Sequence, residues 1–121
     1  MRLHNCHILV VEDEYFLAED LRYELEEAGA IVIGPEGSVK SALERVATEV
    51  WIDAAILDVN LGGEPVFPVA VALEARTVPF LFTSGYSNEA FPDRFLTAGR
   101  CSKPLNVRAV LGSLSRIVDP V

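Results

Sequence analysis

Four short runs of apolar, largely β-branched or aromatic residues punctuate the chain, and each stops abruptly at polar or turn residues. His7-Ile8-Leu9-Val10-Val11 runs into Glu12-Asp13-Glu14. Ile31-Val32-Ile33 is closed by Gly34-Pro35. Ala54-Ala55-Ile56-Leu57 ends at Asp58. Val78-Pro79-Phe80-Leu81-Phe82 ends in Thr83-Ser84-Gly85-Tyr86. A fifth, shorter segment, Arg100-Cys101-Ser102, precedes Lys103-Pro104. Short runs of this kind, bounded by turn residues, read as strands buried on both faces.

The segments between them change period from 2 to 3.6. Leu17, Leu21, Leu25 and Ala28 mark one helical stripe, with Gly29 as its stop; Val39, Ala42, Leu43, Val46 and Val50 mark a second, capped by Ser38. A third helix is expected over residues 67–76. A last one carries Val107, Val110, Leu111, Leu114 and Ile117 behind a cap at Asn106. Residues 87–99 are polar and poorly periodic, with Pro92 among them, so a short or mobile helix is expected there. Strands alternating with helices form a parallel sheet covered on both sides.

At 121 residues, half of them hydrophobic, the chain is expected to be one domain spanning residues 1–121 with a real core. No stretch approaches the roughly 18 apolar residues of a membrane span. Met1-Arg2-Leu3-His4-Asn5 leads straight into the first strand rather than into a signal peptide, so a cytoplasmic protein is expected. The net charge of −8 argues against nucleic acid as a partner and suits a cation site. Cys6 and Cys101 fit no metal or redox spacing. Three strand steps of ~4.8 Å would separate them, beyond the ~7 Å limit for a bridge, so no disulfide is expected.

Right-handed crossovers bring the carboxyl ends of parallel strands to one edge, where ligands of open α/β sheets gather. That edge collects Glu12, Asp13, Asp58, Thr83, Ser84 and Lys103. A carboxylate buried there without a partner would cost several kcal/mol, so Asp58 must either pair with a cation or do chemistry. An acidic first helical turn accounts for Glu14 through the helix dipole. Glu12 and Asp13 abut the buried strand and need another reason.

Carboxylates and a backbone carbonyl suit Mg²⁺, which takes octahedral oxygen and keeps several waters. Asp13 and Asp58 are the expected direct ligands, with the main-chain carbonyl of Asn60 as another and Glu12 acting through water. A lysine and a hydroxyl suit phosphate: Lys103 as a point charge, Ser84 or Thr83 as donor. A carboxylate can itself act as a nucleophile and form an aspartyl-phosphate.

With these residues in this order, the chain resembles a response-regulator receiver domain of bacterial two-component signalling. Val11-Glu12-Asp13, Leu57-Asp58, Ser84-Gly85 and Lys103-Pro104 carry the likeness over nearly the whole length. The resemblance implies a flavodoxin-like (CheY-like) five-stranded parallel sheet, order 2-1-3-4-5, with helices on both faces. It implies Asp58 as phosphoacceptor, supplied by a histidine kinase or histidine phosphotransfer protein. Asp13 and Glu12 would hold Mg²⁺, Lys103 would pair with the phosphoryl group, and Ser84 would be the switch hydroxyl, with Thr83 one residue early. Such a chain is no conventional enzyme; phosphotransfer and autodephosphorylation are self-catalysed, with Asn60 and Tyr86 placed to gate water. A downstream protein or a homodimer would read the state.

Pro79-Phe80-Leu81-Phe82-Thr83-Ser84-Gly85-Tyr86 is similar to the "FAT GUY" receivers, often stand-alone, in which such a chain serves as a relay component or phosphate sink. Thr83 and Ser84 replace that motif's alanine and threonine. One departure is Arg100, which occupies the place of the aromatic rotamer switch three residues before the lysine; Tyr86, or reordering of residues 87–99, would carry the signal instead. Two other functions share parts of this pattern. A Mg²⁺-dependent aspartyl phosphatase wants a second aspartate two residues after its nucleophile, where this chain has Asn60. A phosphate-insensitive pseudo-receiver would lack a complete acid set.

Overall fold

The computed structural model describes residues 3–85 and 91–118. In chain order the elements are β1 (His7–Val11), α1 (Tyr15–Glu27), β2 (Ile31–Glu36), α2 (Val39–Thr48), β3 (Ala54–Asp58), β4 (Asn60–Leu61), β5 (Glu64–Pro65), α3 (Phe67–Ala75), β6 (Phe80–Ser84), a 3₁₀ turn (Asp93–Phe95), β7 (Arg100–Ser102) and α4 (Val107–Val118). The main sheet is parallel throughout, in the order β2-β1-β3-β6-β7. Counting only its own strands, that is 2-1-3-4-5, the flavodoxin-like arrangement expected.

Alternation along each strand builds two cores. Leu9, Val11, Leu57 and Phe82 face α2, α3 and the 3₁₀ turn, whereas Ile8, Val10, Ile56 and Leu81 face α1 and α4. Burial on both faces explains why the runs are continuously apolar rather than alternating. The first core is aromatic: fully buried Phe82 meets Phe67, Phe91 and Phe95 with ring centroids 5.3–5.7 Å away. Caps fall where the sequence places them. Ser38 Oγ accepts from the Ser41 amide at 3.1 Å, and Asn106 Oδ1 from Ala109 at 3.2 Å.

Four local expectations need correction. The second strand does not stop at Gly34-Pro35 but continues to Glu36. β2 is an edge strand, where a proline without an N–H is tolerated, and the β1–β2 register slips between Leu9 and Val11. The fourth strand begins at Phe80 and includes Thr83 and Ser84, because β6 pairs with β3 as far as Thr83 and with β7 as far as Ser84. The segment after Asp58, whose Gly62-Gly63-Glu64-Pro65 run reads as a plain loop, holds a small antiparallel ladder, β4 with β5. Val50 lies beyond the end of α2 and is 74% exposed, so it does not extend the buried stripe. In residues 91–99 the chain makes one 3₁₀ turn. Among the described residues no helix is long and apolar enough to cross a membrane, and Cys6 and Cys101 form no disulfide.

Candidate functional site

The register of the sheet builds the site. Val11 pairs with Leu57, so Glu12 emerges beside Asp58; Asp58 pairs with Thr83; Ser84 pairs with Ser102, so Lys103 follows next to them. Among the described residues the buried polar and charged side chains are Glu12, Asp58, Thr83 and Ser84, all at this one edge. Carboxylate oxygens of Glu12, Asp13 and Asp58 lie within 4.8 Å of one another, with Asp13 exposed and the other two buried. A shallow cleft of about 270 Å³ opens above them, lined by Asp13, Asp58, Asn60, Gly62, Gly63, Gly85 and Lys103. A larger groove, about 550 Å³, lies away from this edge between α2 and α3; it is lined mainly by apolar side chains and by Arg76, which donates to the carbonyls of Val46, Glu49 and Val50.

Lys103 bridges the buried acids. Its Nζ donates to Asp58 Oδ2 at 3.1 Å and lies 3.3 Å from Glu12 Oε1. Burial alone would lower the pKa of this ammonium. The hydrogen bond and charge of Asp58, with help from Glu12, outweigh that effect and hold it above its ordinary value. The Glu12 pKa also rises, but there burial wins. Burial pushes its carboxyl up to about 7, and the Asp58 charge adds to the rise, while the Glu14 amide and Lys103 oppose it. The cluster sets three carboxyl groups against one ammonium, an oxygen-rich site of the kind that suits a hard cation.

Backbone groups aim the carboxylates. The Asn60 amide donates to Asp58 Oδ1 at 3.2 Å, the Glu14 amide to Glu12 Oε2 at 3.0 Å, and the Gly62 amide to Asp13 Oδ2 at 2.9 Å. Gly62 and Gly63 sit at φ +60° and +92°, which a side chain would disfavour, and the Asn60 side chain ties the turn by accepting from Gly63 at 2.7 Å. Sequence reasoning assigned nothing to Gly62. The Gly62-Gly63 pair after the Asp58 strand was the available signal, since such a turn points amides inward.

The structure thus brings Glu12, Asp13, Asp58, Asn60, Thr83, Ser84 and Lys103 to one edge of the sheet. Tyr86, the expected switch aromatic, lies outside the described residues. Arg100 does not enter the cleft. Its guanidinium carbon stacks 3.7 Å from the centroid of the Phe91 ring and its Nη2 donates to the Leu96 carbonyl at 2.8 Å, on the face of the sheet that carries the aromatic core.

No protein-family model matches the chain, and no curated protein does. Solved structures do. SdrG from Sphingomonas melonis Fr1 is 40% identical over 98% of both chains, with a TM-score of 0.80. A structure of the BeF3-activated conformation of SdrG is 40% identical over 93% of this chain and 95% of that one, at a TM-score of 0.76. A response regulator receiver protein from Sinorhizobium medicae WSM419 is 25% identical over 97% of both chains, at a TM-score of 0.79.

Proposed function

Because this chain belongs to the response-regulator receiver family, we propose that it is a phosphorylation-dependent signalling switch in which Asp58 accepts a phosphoryl group from a phosphohistidine. The observation that carries this reading is the buried Asp58 carboxylate held 3.1 Å from the Lys103 ammonium at the mouth of an acid-lined cleft. The donor is a histidine kinase or a histidine phosphotransfer protein. A downstream protein partner or a second copy of the chain reads the result. Residues 1–121 act as one receiver domain in the cytoplasm of a bacterium, and the motif at residues 79–86 supports a place among the stand-alone FAT GUY receivers.

In the transfer, an Asp58 oxygen attacks phosphorus, the bond from phosphorus to the donor nitrogen breaks, and the imidazole keeps the electron pair. Lys103 follows the incoming charge as a flexible point cation, and the Ser84 hydroxyl donates to a phosphoryl oxygen. In autodephosphorylation water attacks phosphorus and the Asp58 carboxylate leaves with its electron pair. Asn60, two residues beyond Asp58, and Tyr86, two residues beyond Ser84 in the sequence, are the residues assigned to gate that water.

The donor set fits Mg²⁺. It offers oxygen only, and Glu12 Oε1 is buried with no hydrogen-bond donor of good geometry although Lys103 is 3.3 Å away. Asp13, Asp58 and the Asn60 main-chain carbonyl would hold the ion, with Glu12 acting through water. Bound there, Mg²⁺ would offset charge on the phosphoryl oxygens.

Incubation with acetyl phosphate and Mg²⁺ followed by intact mass tests the reading. A gain of one phosphoryl group, lost in Asp58→Asn, is expected. Turnover of added phosphoesters would instead identify a phosphatase, and an unchanged mass a phosphate-insensitive binding module.

A further inference from the structure

Asp13 is the exposed member of the acid cluster, and its partner is a main-chain amide rather than Lys103. Gly62, 49 residues further along the chain, donates to Asp13 Oδ2 at 2.9 Å. That leaves Oδ1 to meet a cation.

The donor is held firmly. Asn60 pairs with Pro65 and Leu61 with Glu64, so Gly62 and Gly63 form the tip of a hairpin. Their φ angles of +60° and +92° are the two positive values of a type I′ turn. Buried Val59 and Leu61 anchor the hairpin in the core, and the Val66 amide donates to the Val59 carbonyl at 2.9 Å. The Gly63 amide closes the tip on Asn60 Oδ1 at 2.7 Å. Asp13 is backed by Gly37, where a β-carbon would lie 3.7 Å from the Asp13 Cα. The acid and its donor therefore belong to separate loops, each fixed by its own packing.

A carboxylate can take a divalent ion through one oxygen or through both. Mg²⁺ demands a near-ideal octahedron and keeps several waters, whereas Ca²⁺ takes roughly six to eight oxygens and readily uses both oxygens of one carboxylate. Coordination through both Asp13 oxygens would turn Oδ2 away from Gly62 and lose a hydrogen bond to a charged group. Coordination through Oδ1 alone keeps it. Outer partners of this kind orient the ligands they touch.

Resting on the Mg²⁺ reading of this cleft, we propose that the Gly62 amide is a positioning donor that confines Asp13 to one-oxygen coordination and so selects Mg²⁺ over Ca²⁺. The selectivity belongs to the main chain of the hairpin tip, not to a side chain.

The test replaces Gly62 by glycolic acid through cell-free translation, which exchanges the amide N–H for an ester oxygen. The same exchange at Gly63 removes the bond to Asn60 and leaves the one to Asp13. Gly62→Asn keeps the N–H and tolerates a positive φ. Mg²⁺ and Ca²⁺ are titrated separately, without phosphodonor, and their dissociation constants are read from amide chemical shifts at the ends of β1 and β3. In the Gly62 ester the preference for Mg²⁺ over Ca²⁺ should fall about three- to ten-fold. The Gly63 ester and Gly62→Asn should keep it within about two-fold of wild type. In the unaltered chain, solvent exchange of the Gly62 amide should stay slow with Mg²⁺ and quicken with Ca²⁺. An unchanged preference in the Gly62 ester overturns the proposal, as does an equal fall in the Gly63 ester, which would trace the effect to the turn as a whole. Exchange at Gly62 that quickens with Mg²⁺ overturns it without any variant, as does a wild-type chain that binds both ions equally. A wild-type chain that binds neither ion overturns the Mg²⁺ reading of the cleft, and this proposal with it.

Discussion

The Lys103 ammonium lies 3.1 Å from Asp58 Oδ2, although 45 residues separate the two in sequence. The contact exists because β3, β6 and β7 are adjacent and parallel, so that their carboxyl ends coincide. Its 3.3 Å approach to Glu12 makes Lys103 the common counter-ion of two buried acids.

Lys103→Met should therefore destabilise the resting protein. Removing one partner of a fully buried pair costs about 3–5 kcal/mol. Lys103 keeps 22% of its side chain exposed, so a smaller loss, about 2–3 kcal/mol, is expected from urea denaturation at pH 7. Added Mg²⁺ should restore part of it, since the ion supplies the missing positive charge. Unchanged stability without the ion would show that the pair is merely a surface contact.

Stability should also depend on pH through Glu12. Its folded pKa of about 7 lies above the ordinary 4.5, so between those values the folded chain binds more protons than the unfolded one. Its contribution is fully present at pH values below about 4.5 and is lost as pH rises to about 7. In metal-free buffer the stability of wild type relative to Glu12→Gln should fall by a few kcal/mol over this window. A flat difference would contradict the burial of a charged Glu12.

Arg100 tethers residues 91–96 through the Phe91 ring and the Leu96 carbonyl. An exposed cation–π contact is worth about 0.5–1 kcal/mol. Arg100→Ala should speed amide hydrogen exchange in residues 91–98 several-fold while leaving β1 and β3 protected. Beryllofluoride should alter protection in the same residues of the wild type. Identical exchange with and without it would remove this segment from the signalling route.

Phe82 joins the site-bearing strand to the aromatic core, with Phe67, Phe91 and Phe95 around it. Phe82→Ala should cost about 3–5 kcal/mol in urea denaturation. Phe82→Leu should cost less than half of that, because most of the buried area survives.

Much of this architecture was legible in the chain. Ile8 to Val11 and Ala54 to Leu57 are uniformly apolar because two cores press on them, and that same geometry makes Glu12 and Asp58 the first residues along each strand that can be polar. Ser38 and Asn106 announced the helices they cap. What stayed hidden depends on neighbours in space. Pro35 reads as a terminator unless β2 is known to be an edge. Gly62-Gly63 reads as a loop until the Gly62 amide is seen to hold Asp13 and the Gly63 amide Asn60. Arg100 is visibly not an aromatic, but nothing in sequence spacing gives Phe91 as its partner. Thr83 looks like a rival to Ser84, and only the register with Asp58 separates their places.

The most direct measurement is chemical trapping of the acyl phosphate. After incubation with acetyl phosphate and Mg²⁺, borohydride reduces an aspartyl-phosphate to homoserine, and peptide mass mapping locates it. Homoserine at position 58, absent when Mg²⁺ is chelated, is the expected result. Phosphorylated protein in which position 58 remains aspartate would contradict the assignment of Asp58 as phosphoacceptor.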